Sequence, residues 1–104
     1  MPTSVDEDEI PTVFTLGQNY PNPFNPTTRI KFSTPPNPAQ EKTSLSLKVY
    51  DIIGNEVATL VNEEKPGGEY EVVWNASNVS SGIYFYRLAI PGIYSRTMKM
   101  ILLK

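Results

Sequence analysis

Tyr20-Pro21-Asn22-Pro23-Phe24-Asn25-Pro26-Thr27-Thr28 places three prolines within six residues, two of them directly after asparagines. Proline fixes φ at about −65°, brings no N–H, and drives the residue before it into extended geometry. The stretch can therefore be neither a helix nor a central strand. It reads as a stiff, kinked ribbon, with Tyr20 and Phe24 as apolar anchors and the asparagine amides available to cap turns. Alternating short strands follow it to the last residue, so the ribbon introduces a small β-domain.

Before the ribbon, Val13 to Leu16 is a short first strand. After it, Thr28 to Ser33 sets Ile30 and Phe32 on one face against Arg29 and Lys31 on the other. Pro35 to Thr43 is a proline-bearing loop, and Ser44 to Tyr50 alternates with Leu45, Leu47 and Val49 inward, the pattern of a half-buried strand. Asp51 to Asn55 is a turn in which Gly54 or Asn55 takes positive φ. Glu56 to Val61 returns as a strand. Its expected partner is Glu69 to Trp74, reached through a type II turn at Lys65-Pro66-Gly67-Gly68. Asn75 to Gly82 is a small-polar loop, Ile83 to Ile90 a long strand, Pro91-Gly92 a turn, and Ile93 to Leu103 the final strand. Seven strands and no helix, with turn signals every eight to twelve residues, predict a sandwich of two antiparallel sheets with Trp74 at the centre of its core.

A chain of 104 residues makes one domain, here with an acidic linker or tail over residues 1–12 and the β-domain over 13–104. The net charge of −2 argues against nucleic acid as a partner, which requires a basic surface to displace counterions. No apolar run approaches the ~20 residues of a membrane-spanning helix, the longest being Met100 to Leu103. Met1 is followed by Asp6 to Glu9 where a basic segment and an apolar core would form a signal peptide, so an export leader is expected on a longer parent protein. Cysteine and histidine are both absent, which removes disulfides, thiol catalysis, Cys/His metal sites and the commonest acid–base group.

The remaining candidates for chemistry read as structure. Asp6-Glu7-Asp8-Glu9 has no turn glycine to shape the six to eight oxygens of a calcium site, and reads as solvated linker. Tyr84, Tyr86 and Trp74 are candidates for a sugar-stacking platform, but at strand spacing they are read as core. The serines between Asn75 and Ser81 have no histidine or lysine to activate them, and the sequons at Asn75 and Asn78 read as loop chemistry. No cofactor and no enzymatic activity are expected.

Four blocks in order, YPNPFNPTTRIKF, LKVYDIIGNEVATLVNE, GGEYEVVWNASNVSSGIYFYRL and the terminal MKMILLK, closely resemble the type A C-terminal sorting domain of the type IX (Por) secretion system. The resemblance runs from about Phe14 to Lys104. It implies an immunoglobulin-like β-sandwich at the C-terminal end of a larger secreted protein. It also implies a non-catalytic signal that takes this cargo through the periplasm and across the outer membrane, to the surface or the extracellular space. The implied partners are the upstream cargo domain and the secretion machinery, both its translocon or shuttle and a sortase-like protease that cuts the domain off. The acidic segment is the natural place for that cut. By position the family's recurring features fall on Tyr20, Pro21, Asn22 and Pro23, on Tyr50, Asp51 and Gly54, on Gly82 and Tyr84, and on Lys99 with the residues after it. The chain departs from the family pattern at Met98-Lys99, where a basic pair is usual. It departs again at Gly67, where alanine is common and glycine is expected only to loosen a turn, and in the longer loop from Pro35 to Thr43.

The terminal strand is apolar on both faces, so it is either central in a sheet or awaiting a partner. Lys99, Met100, Ile101, Leu102, Leu103 and Lys104 are therefore the expected recognition segment, read as an exposed edge by strand addition or after peeling from the sheet. Two alternatives belong to other classes. One is a surface module that holds polysaccharide through its aromatics. The other is a flagellar hook-cap-like Ig module, which shares the Pro-Asn-Pro-Phe, YD-x-x-G and Gly-Tyr blocks. The finish at MKMILLK favours the sorting domain over the latter.

Overall fold

Residues 13–39 and 41–104 are described by the computed structural model, and the acidic linker expected over residues 1–12 lies outside the described residues. Seven strands follow one another: β1 (Thr15–Leu16), β2 (Thr27–Thr34), β3 (Lys42–Tyr50), β4 (Glu56–Pro66), β5 (Gly68–Asn75), β6 (Gly82–Ile90) and β7 (Tyr94–Leu102). They form a three-stranded sheet in the order β1-β2-β5 and a four-stranded sheet in the order β4-β3-β6-β7, with every strand pair antiparallel. The chain changes sheet between β2 and β3, β4 and β5, and β5 and β6, which gives the Greek-key connectivity of an immunoglobulin-like sandwich. No helix occurs among the described residues.

The alternation read from the sequence holds where a strand faces the core. Ile30, Phe32 and Trp74 come inward from one sheet, and Leu45, Leu47, Val49, Tyr84, Tyr86, Leu88, Met100 and Leu102 from the other. Each large side chain taken out of water contributes about 1.5–3 kcal/mol against the entropy of ordering the chain. Trp74 is buried but lies toward one end of the core, against Phe24 and edge-on to Tyr84 with ring centroids 5.8 Å apart in both pairs. The most fully enclosed side chains include Tyr86, Phe24, Ile30, Leu47, Leu88, Met100 and Leu102.

Two expectations about the middle of the chain are corrected. β5 does not pair with β4; it pairs with β2, from Thr27 opposite Asn75 to Thr34 opposite Gly68. β4 pairs instead with β3 and extends to Pro66, five residues beyond the expected end at Val61. Its last part, Asn62-Glu63-Glu64-Lys65, is polar on both faces, so side-chain periodicity gives no sign of a strand that backbone pairing alone sustains. Charges of this kind on a free edge also discourage pairing with another chain.

The segment after β4 is thus a crossing between sheets and not a hairpin. Gly67 lacks the positive φ that a type II turn demands at this position. Nor does glycine merely loosen the chain here: a Cβ at Gly67 would lie 2.6 Å from the Pro36 nitrogen and 2.8 Å from its Cα. The proline-bearing loop leans directly on this crossing, and only glycine lets the two backbones meet. Gly67→Ala, which restores the residue common in the family, is expected to destabilise the domain by about 1–3 kcal/mol in urea denaturation. An unchanged midpoint would mean that the loop from Pro35 yields without cost.

Candidate functional site

The four blocks of sequence, distant along the chain, meet at one end of the sandwich. The ribbon begins at Gln18 and Asn19, beside β1. Tyr20 pairs with Arg29 through two main-chain hydrogen bonds of 2.9 Å, one in each direction. The peptide bonds Tyr20-Pro21, Asn22-Pro23 and Asn25-Pro26 are all cis. A buried polar knot holds the ribbon's course. Asn19 Nδ2 donates to the Pro21 carbonyl at 3.1 Å and to Thr28 Oγ1 at 3.0 Å, and the Thr28 hydroxyl donates to the Pro21 carbonyl at 2.9 Å. The expected pair of apolar anchors is only half present. Phe24 is 2% exposed and plugs the end of the core, whereas Tyr20 is 77% exposed, because its backbone pairing to Arg29 turns the ring outward.

From there the ribbon runs along the outer edge of β7. Gln18 Nε2 donates to the Lys99 carbonyl at 3.0 Å, and the Ile101 N–H donates to Asn22 Oδ1 at 3.0 Å. The Phe24 N–H donates to the Ile101 carbonyl and the Leu103 N–H to the Phe24 carbonyl, both at 2.9 Å. These are the outward main-chain groups of alternate residues, the set that a strand added to the edge would use. The expectation of an exposed edge at Lys99 to Leu103 is therefore corrected: the chain's own ribbon closes it, with the Gln18 amide supplying a donor that proline lacks and the Asn22 amide oxygen supplying an acceptor.

The rest of the terminal segment is held as firmly. Met100 and Leu102 are buried, Ile101 is half-buried, and Lys99, Leu103 and Lys104 are exposed. The Lys104 N–H donates to Ser81 Oγ at 2.9 Å, and its ammonium to the Ser77 carbonyl at 2.8 Å. On the inner side β6 pairs with β7 throughout, with Gly82 opposite Leu102, Ile83 opposite Ile101 and Phe85 opposite Lys99. Gly82 starts β6, and Tyr84 folds its hydroxyl back to donate to the Ser80 carbonyl at 2.6 Å, the tyrosine-corner arrangement of immunoglobulin-like sandwiches.

The second block joins through β3, whose Tyr50 lies opposite Phe85. Beyond it the Asp51 carboxylate organises the turn. Oδ1 accepts from the N–H groups of Ile53 at 3.1 Å and Asn55 at 2.9 Å, and the Gly54 N–H closes on the Asp51 carbonyl at 3.0 Å. Gly54 takes φ +94°, as expected for one of the two candidates. The hydrogen bond from the Asn55 backbone holds the Asp51 carboxyl below its ordinary range against an opposing effect of desolvation, with lesser help from the Asn55 side chain and the Ile53 and Gly54 N–H groups. Ile52 and Ile53 in this turn are exposed to solvent.

Trp74, Tyr84 and Tyr86 are all buried, so their faces are not available to stack on a sugar. Among the described residues no cluster of acidic side chains could hold a metal ion. Sequence reasoning missed Gln18 and Ser81, whose partners are main-chain groups far away in sequence, and Asn19 and Thr28, which bond each other and the Pro21 carbonyl; all four are polar residues without periodicity. It also missed the second task of Tyr86, whose hydroxyl donates to the Gly17 carbonyl at 2.6 Å and accepts from the Asn19 N–H at 2.8 Å, so fixing the start of the ribbon from inside the core.

The distinctive geometry of this β-sandwich is a last strand closed on one edge by β6 and on the other by the proline ribbon. The chain belongs to the secretion system C-terminal sorting domain family, the sorting domains of type IX secretion, whose family model matches residues 18–103. That span opens at Gln18 and closes at Leu103, the first and last residues of the contact between ribbon and β7. No curated protein matches the chain. Membership makes the domain a sorting signal that engages the type IX machinery and directs export to the cell surface or extracellular space.

Two measurements check this geometry. Phe24→Ala should destabilise the domain by about 3–5 kcal/mol and speed hydrogen exchange at the Ile101 and Leu103 amides selectively; exchange at those amides no faster than elsewhere would mean that Phe24 does not hold the edge. The second uses pH. Burial, first among its causes, raises the Tyr86 pKa above its ordinary value of 10.0. The unfolded chain therefore releases this proton first, and the stability tied to it is complete below pH ~10 and lost as pH rises through the folded-state value. Tyr86→Phe should flatten that alkaline loss while costing about 1–3 kcal/mol at neutral pH, since the buried Asn19 N–H loses its acceptor. An alkaline profile identical to the parent's would refute it.

Proposed function

We propose that the chain is a non-catalytic address carried at the C-terminal end of a larger cargo protein. In this reading the machinery takes the cargo from the periplasm across the outer membrane, and a sortase-like protease cuts the domain away within the acidic segment before Val13. Lys99 to Lys104 is the part that is read, and it is read as a surface of the folded domain.

The observation that carries this reading is the closure of β7 on both edges. Peeling the segment away would give up the burial of Met100 and Leu102, at about 1.5–3 kcal/mol each. It would also break the ladder to β6 and the bonds to the ribbon, at roughly 1 kcal/mol apiece. The sum approaches the whole stability of a domain this size, about 5–15 kcal/mol. Recognition of side chains that already face outward, Lys99, Leu103 and Lys104 with half-buried Ile101, costs none of it.

The test fuses the whole chain behind a reporter that carries its own export leader, in a bacterium with a type IX system. The fusion should appear outside the cell. Combining Lys99→Ala, Leu103→Ser and Lys104→Ala should leave the reporter in the periplasm with the domain's thermal midpoint little changed. Undiminished export of that triple variant would sink the assignment of the signal to this segment.

A further inference from the structure

The outer face of the β4-β3-β6-β7 sheet carries an apolar strip that continues beyond the terminal residues. Ile83 lies directly opposite Ile101, Phe85 lies opposite Lys99, and Tyr50 lies opposite Phe85, so three strands contribute to one row after another. All these side chains point away from the core, since their neighbours Val49, Tyr84, Tyr86 and Met100 point into it. Ile83 is 39% exposed and Leu103 55%, while Phe85, Tyr50 and Ile101 are half-buried by one another. The exposed Ile52 follows Tyr50 at the same end. Single exposed apolar residues are ordinary, but a contiguous strip on a flat sheet face marks a contact surface.

The charge around the strip says what covers it. Among the described residues the ion pairs are Lys48 with Glu56 and Lys65 with Glu63. Arg87, Lys99 and Lys104 have no carboxylate partner there; Arg87 lies along the sheet with its Nε donating to Ser95 Oγ at 3.0 Å. The protein is nevertheless acidic, with a net charge of −2, and Glu63, Glu64, Glu69 and Glu71 lie on the far part of β4 and on β5. Other cations without a carboxylate partner among the described residues, Arg29, Lys31, Lys42 and Arg96, lie off the strip, and Glu56 opposite Tyr50 is neutralised by Lys48. Beside the strip Arg87, Lys99 and Lys104 stand against the single carboxylate of Asp51, a positive excess on an acidic protein.

We propose that the outward face of β3, β6 and β7 around Tyr50, Ile83, Phe85, Ile101 and Leu103 is the docking surface of the sorting signal. Its occupant is a protein of the secretion machinery that presents an apolar patch rimmed by carboxylates. The inference rests on the proposed function and widens the recognition site to residues outside the terminal segment. A protein partner fits better than an anionic membrane, because lipid-binding clusters need about 4–8 cations at roughly 1 kcal/mol each and this rim has three. Apolar complementarity at the centre with charge at the edge is the anatomy of a protein interface.

The reporter fusion described above tests it. Ile83→Asp should reduce extracellular reporter at least tenfold. Ile83→Thr combined with Phe85→Thr, which keeps β-branched residues in the strand, should do the same with the fold intact by circular dichroism. Arg87→Glu combined with Lys99→Glu should lower export at least threefold. Val73→Asp, on the exposed outer face of the other sheet, should leave it within twofold. Should Ile83→Asp unfold the domain, the threonine pair and the charge pair decide. Folded strip variants that export like the parent, while the Lys99, Leu103 and Lys104 variant is retained, overturn the docking face and leave the sorting segment standing. Normal export of the terminal variant defeats the sorting reading instead. Sedimentation of the purified domain with phosphatidylglycerol vesicles, lost in the threonine pair, would overturn the protein partner in favour of a lipid surface.

Discussion

The hydrogen bonds between Phe24 and the last strand, its N–H to the Ile101 carbonyl and its carbonyl to the Leu103 N–H, tie the two ends of the domain together. An unpaired edge strand offers a row of donors and acceptors to any passing chain. Here the strand carries the terminal segment, and a proline-rich stretch supplies the cover. Proline has no N–H, so the cover cannot be an ordinary strand. The amides of Gln18 and Asn22 fill in, one donating to Lys99 and one accepting from Ile101. A segment that looks unfit for a sheet thereby completes one without itself inviting a further strand.

The rest of that end of the molecule follows from keeping this contact in place. Phe24 must be buried to hold the ribbon against β7, and Trp74 and Tyr84 provide the aromatic floor. Tyr84 is fixed in turn by its bond to Ser80, and Tyr86 fixes the ribbon's start by bonding Gly17 and Asn19. Asp51 shapes the neighbouring turn through main-chain N–H groups. The blocks that recur in the family are thus one structural unit, whose members each position another. What this unit presents to the exterior is a flat sheet face whose side chains are held in fixed register.

The opposite side of the sandwich is managed differently. There β4 and β5 belong to separate sheets, and the chain passes between them where Gly67 lies against Pro36. Among the described residues no ribbon pairs with the outer edge of β4; its end carries Glu63, Glu64 and Lys65 instead. One edge is closed by backbone pairing and the other protected by charge, and the terminal segment lies on the closed one.

Strand existence and the facing of side chains were legible in the sequence at Thr28 to Ser33, Ser44 to Tyr50 and Ile83 to Ile90, because a core-facing strand writes a period of two into its residues. The sheet type, the Asp51 turn and the family were legible on the same kind of local grounds. The partner of Glu69 to Trp74 was not, since alternation says which face is buried but not which strand lies alongside. Nor was the exposure of Tyr20, which depends on its backbone pairing with Arg29, or the closed edge of Lys99 to Leu103, which depends on groups about eighty residues away. Local chemistry settled that this polypeptide forms a β-sandwich introduced by a rigid ribbon. Only the tertiary structure decided that the ribbon returns to seal the last strand, because hydrogen bonds between distant main-chain groups leave no trace in the order of side chains.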